Sequence, residues 1–99
     1  MKVSEFEDFV AYKVAFMPLT DDAYSVIGLC GEAGEVAEWV KKAQFRKNAN
    51  YTEPMLKSEL GDVLHYVTRM ARNHGWTLKD LMADNVAKLS ARYEKRANA

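Results

Sequence analysis

The sequence predicts an all-α protein: a four-helix bundle completed by dimerisation. Three observations carry that expectation. Only five Gly and two Pro interrupt the 99 residues, the strand-like alternation of β-branched and polar residues is missing, and four stretches each begin near a helix-capping residue. The length favours one domain over residues 1–99, built around one core.

The first helix is expected from Ser4, which has capping-box spacing to Glu7. It carries Phe6, Phe9, Val10, Lys13 and Met17 along one stripe until Pro18 stops it. The second follows Thr20, with Asp21 and Asp22 at its positive end, and runs to about Ala43 or Phe45. Arg46 to Tyr51 is polar and without periodicity, and reads as a loop. The third helix opens at Thr52-Glu53-Pro54 and ends near Asn73, before Gly75. The fourth starts at Thr77, paired with Asp80 at cap spacing, and continues to about Arg96. Long helices in so short a chain leave apolar faces over, which a second copy is expected to cover.

Fourteen basic residues cancel fourteen acidic ones, so the overall charge draws the chain to neither a nucleic-acid polymer nor an anionic membrane. No apolar run approaches the ~20 residues that cross a bilayer, and the start lacks a secretory h-region. Cys30 has no partner for a disulfide, which together with these features points to the cytoplasm. As a single small side chain it is expected to be buried.

On a helical wheel the third helix gathers Leu56, Val63, Tyr66, Val67 and Met70 on one face, with Glu59 in the middle of it and Asp62 at its edge. Burying carboxylates without a counter-charge costs several kcal/mol at least, so that placement asks for a cation or a proton. The second helix offers Glu32 and Glu35, three apart on one stripe beside Gly28, Gly31 and Gly34. Each glycine lowers helix propensity by about 1 kcal/mol relative to Ala, which implies close approach or open space there. Two acidic pairs on antiparallel helices would present four oxygen donors. Hard oxygen ligands without Cys or His select Mg²⁺, or Mn²⁺, and Mg²⁺ commonly completes its shell with phosphate oxygens.

Gly28 to Lys42, GLCGEAGEVAEWVKK, followed by Ser58 to Tyr66, SELGDVLHY, resembles the paired ExxE and ExxD motifs of the MazG-like nucleoside triphosphate pyrophosphohydrolases. Asn85, Lys88, Leu89 and Arg92 are similar to the N-x-x-K-L-x-x-R stretch near the end of such domains. The resemblance implies a helical dimer or dimer of dimers with Mg²⁺ held by Glu32, Glu35, Glu59 and Asp62. It implies hydrolysis of a (d)NTP substrate between the α and β phosphates, with Glu35 or Glu38 orienting the attacking water. The family often begins its first motif with two adjacent glutamates, whereas Gly31 precedes Glu32 here.

Asn85 falls in the centre of the apolar stripe Leu78, Leu81, Met82, Leu89 and Tyr93, with Arg92 close by and Lys88 at its edge. All three polar residues are candidates to bind substrate. Lys41, Lys42, Arg46 and Lys47 cluster without an intervening acid, which suits a triphosphate tail or simply the negative end of a helix. Tyr66 and Trp39 are placed to stack on a base, or to fill the core. His65 and His74 have no partner pattern for catalysis. The competing expectations are a phosphoribosyl-ATP pyrophosphohydrolase-like enzyme and a non-catalytic helical oligomerisation module.

Overall fold

Two helices begin where the sequence places them, because their caps are local. The computed structural model describes residues 1–13 and 22–98. Helix α3 spans Glu53–Asn73, with Thr52 extended at its N-cap and Pro54 in the first turn. It ends in a Schellman pattern: Gly75 N–H donates to the Arg72 carbonyl at 3.0 Å and Trp76 N–H to the Ala71 carbonyl at 2.9 Å. Gly75 takes the left-handed conformation this requires, φ +78°. Helix α4 spans Leu78–Ala97. The Thr77 hydroxyl accepts the Asp80 N–H at 3.1 Å and the Asp80 carboxylate accepts the Thr77 N–H at 2.9 Å, a complete capping box. Those bonds from Thr77 hold the Asp80 carboxyl below its ordinary pKa.

Helix α2 spans Asp22–Val40 and continues as a π-helical stretch, Lys41–Phe45, so this helical run reaches Phe45 as expected. α2 and α3 form an antiparallel hairpin, since Trp39 meets Thr52 at one end and Gly28 meets Tyr66 further along. Trp39, 7% exposed, is a core residue in the structure: its indole Nε1–H donates to the Thr52 carbonyl at 2.8 Å and pins the 46–52 loop to α2.

Helix α1, Val3–Asp8, continues as a π-helical turn over Phe9–Lys13. It starts one residue before Ser4, and Glu5 supplies the cap by accepting the Lys2 N–H at 3.0 Å. The Ser4–Glu7 box is therefore replaced, and Glu7 is buried instead, where its carboxylate accepts the backbone N–H of Leu78 at 3.0 Å. Met17, Pro18, Thr20 and Asp21 lie outside the described residues. The π-helical turn packs on α3, where Arg72 approaches Tyr12, and Val10 is almost wholly enclosed.

Helix α4 packs less completely. Leu78 is buried, Leu81 and Leu89 are half-buried, and Met82, Val86 and Tyr93 are 57%, 63% and 58% exposed. The radius of gyration, 16.6 Å, exceeds the ~13 Å of a compact chain of this length. Asn85, expected in the middle of a packed stripe, is exposed, because α4 stands off from α3 there and leaves an open cleft between them. Cys30 is exposed as well, on the outer side of α2.

Candidate functional site

The antiparallel α2–α3 hairpin sets the register that gathers the acids. Carboxylate oxygens of Glu32 from α2 and of Glu59 and Asp62 from α3 lie within 4.8 Å of one another. Glu32 and Glu59 are half-buried and Asp62 is exposed. Burial pushes the Glu32 carboxyl above its ordinary pKa, and the nearby charges of Asp62, Glu59 and Glu35 push it in the same direction. Three carboxylates so close repel one another unless a proton or a cation sits among them, and an all-oxygen set of this kind suits a hard divalent ion.

Glu35 is exposed and stands outside that three-residue group, although its charge reaches Glu32. Glu38 forms an ion pair with Lys42, Nζ to Oε1 2.7 Å, and that bond holds its carboxyl below the ordinary value. Lys42 also lies over the Tyr51 ring at 5.3 Å, so its ammonium is engaged at the hairpin's turn. Tyr66 is half-buried against Gly28, where a Cβ would collide with its ring. His65 meets Tyr66 edge-on at 5.0 Å, and Tyr24 lies 6.3 Å away. Burial, followed by the Tyr24 hydroxyl, raises the Tyr66 phenol's pKa. Arg69, buried, stacks over Tyr24 at 4.9 Å.

A second feature adjoins the acids. A cleft of about 660 Å³ opens between α3 and α4, and its walls include Leu29, Val67, Met70, Trp76, Asn85 and Lys88. Leu29 precedes Glu32 by three residues and is its neighbour on α2. Met70 follows Asp62 by eight residues, ~12 Å along α3. Asn85 and Lys88 thus share one cavity near the acids, whereas Arg92 is exposed further along α4 and does not line it. Sequence reasoning did not single out Trp76 or Asp84, which also line the cleft. Trp76 carried a signal: it sits between Gly75 and Thr77, in a turn, where no helical stripe accounts for a large aromatic.

The fold and this acid group define an all-α protein with a carboxylate-lined seam between two helices. The domain profile of the MazG nucleotide pyrophosphohydrolases matches residues 24–97, and the chain belongs to that family. It is 37% identical over 76 residues to the Gene 37 protein of Mycobacterium phage L5, covering 74% of this chain and 67% of that one. No solved structure matches the chain. No helix among the described residues is long and apolar enough to cross a membrane.

Proposed function

We propose that this protein hydrolyses nucleoside triphosphates between the α and β phosphates, giving the monophosphate and pyrophosphate, with Mg²⁺ or Mn²⁺ as cofactor. The carrying observation is the convergence of Glu32, Glu59 and Asp62 oxygens within 4.8 Å across two helices. These three residues would hold the ion. Bound there, a divalent ion supplies neutralising charge for phosphate oxygens and a more acidic water. Glu35, one turn beyond Glu32 and exposed, would orient an attacking water and accept its proton. Glu38 is the poorer base, because its charge is held by Lys42. Asn85 and Lys88 bind the substrate from the cleft wall, and Tyr66 buttresses the helix pair that carries the acids.

A second copy of the chain covers the outer side of α4 in this reading, since Met82, Val86 and Tyr93 are left bare there and none of them lines the cleft. Light scattering in solution tests that part and returns a dimer or a multiple of it. The chemistry is tested by pyrophosphate release from a panel of NTPs, dNTPs and phosphoribosyl-ATP with Mg²⁺. Glu59→Gln and Glu35→Gln are expected to abolish release while helix content by circular dichroism is retained. Full activity in both variants overturns the assignment.

A further inference from the structure

The cleft between α3 and α4 has a floor of Leu29, Val67 and Met70, with polar groups on the wall that α4 supplies. Trp76, 52% exposed, is stacked on His74 with ring centroids 4.8 Å apart and planes at 15°. His74 is fixed in turn by Asp22, Nε2 to Oδ2 2.7 Å. The indole is therefore supported on one face by an anchored ring, the arrangement of a stacking platform.

From α4 the polar wall receives both acceptors and donors. Asp84 brings an acceptor-only carboxylate, and no described residue pairs with it. Asn85 and Lys88 bring N–H donors beside it. Asp80 also lines the cleft, but one of its oxygens is taken by the Thr77 N–H. A carboxylate accepts two parallel bonds from the adjacent N1–H and N2–H₂ of guanine, while a donor next to it meets guanine O6. Thymine and uracil present one N–H between two carbonyls, which the carboxylate repels. Adenine and cytosine place a ring acceptor beside their amino group, so the second carboxylate oxygen is again opposed.

We propose that this cleft is the base site of the enzyme and that Asp84, with Trp76 as stacking platform, makes it select guanine nucleotides. This rests on the pyrophosphohydrolase reading above. The cavity's size lies within the ordinary range for small-molecule sites. Its floor residues Val67 and Met70 follow Asp62 by about 8 and 12 Å along α3, which leaves the sugar and α-phosphate to bridge the two.

Isothermal calorimetry of the whole chain with α,β-methylene dGTP and α,β-methylene dTTP, Mg²⁺ present, tests the assignment. The guanine analogue is expected to bind about tenfold tighter, the discrimination of one good bidentate pair. Asp84→Asn brings the two affinities together, by loss on the guanine side. Trp76→Ala weakens both analogues by about tenfold, the usual effect of losing a stacking partner. Equal affinities in the wild type, or a preference that survives Asp84→Asn, overturn the proposal. So do Trp76 and Asp84 variants that change dimerisation and leave nucleotide affinity untouched, since a second chain then fills the cleft. Pyrophosphate release at equal kcat/KM from all four dNTPs removes the guanine assignment and leaves the chemistry standing. Guanine-selective binding without release from any nucleotide does the reverse.

Discussion

Glu7 and Leu78 are 71 positions apart in the chain and are joined by one buried hydrogen bond, in which the Glu7 carboxylate accepts the Leu78 N–H at 3.0 Å. Leu78 is the first residue of α4, where free N–H groups gather partial positive charge. The bond thus ties the N-terminal helix to the start of the last one. Glu7→Ala is expected to cost about 1.5–3 kcal/mol, the range for a hydrogen bond to a charged group. Glu7→Gln keeps an acceptor and costs less. Urea denaturation of the two variants beside the wild type checks the order.

The acid group destabilises the metal-free chain. Burial, and then the charges of Asp62, Glu59 and Glu35, raise the folded pKa of Glu32 above its ordinary value, so this group's contribution to stability is present below the ordinary carboxylate pKa and is lost as pH rises through the raised one. Glu32→Gln is expected to raise Tm in EDTA and to remove the rise expected from Mg²⁺ in the wild type. Differential scanning fluorimetry with and without the ion reads both effects.

The three glycines of α2 separate cleanly. A Cβ on Gly28 strikes the Tyr66 ring, whereas Gly31 and Gly34 have nothing within 4 Å. Gly31→Ala and Gly34→Ala are expected to stabilise the monomeric hairpin by up to about 1 kcal/mol each through helix propensity. Gly28→Ala loses about 1–3 kcal/mol to overpacking, against that same gain. A double-mutant cycle with Tyr66→Ala, followed by chemical denaturation, isolates the clash.

His65 contributes a loss of stability on mild acidification. Burial, and next the charge of Arg69, hold its imidazole below the ordinary value, with Asp62 opposing them. The unfolded chain takes up that proton first, so this contribution is fully present above the ordinary histidine pKa and declines as pH falls toward the depressed folded value. Tm measured between about pH 7.5 and 5 is expected to drop less steeply in His65→Gln than in the wild type.

Helix boundaries were legible where their causes are local. Thr77 with Asp80, Thr52 with Pro54, and Gly75 after Asn73 act within one turn, so α3 and α4 lie within a residue or so of expectation. Glu7 was misread because its partner is distant in sequence: a caplike spacing to Ser4 concealed a bond to Leu78. Of the two readings open for Trp39 the core one holds, while its bond to the Thr52 carbonyl, across a loop, leaves no mark in the helical pattern. Glu32, Glu59 and Asp62 were legible together, since antiparallel packing of two helices fixes their meeting. The roles of Glu35 and Asn85 depended on which helix face meets a neighbour, and periodicity marks an apolar stripe without saying what covers it.

The two tryptophans occupy opposite surroundings, Trp39 7% and Trp76 52% exposed. Indole emission shifts to the red as water reaches the ring, so one excitation draws a blue component from the hairpin's turn and a red one from the lip of the cleft. The imidazole of His74 stacked against Trp76 adds a quencher to the second component alone. The molecule therefore carries two native optical reporters, and loosening of the turn and filling of the cavity are separable in a single spectrum without any added dye.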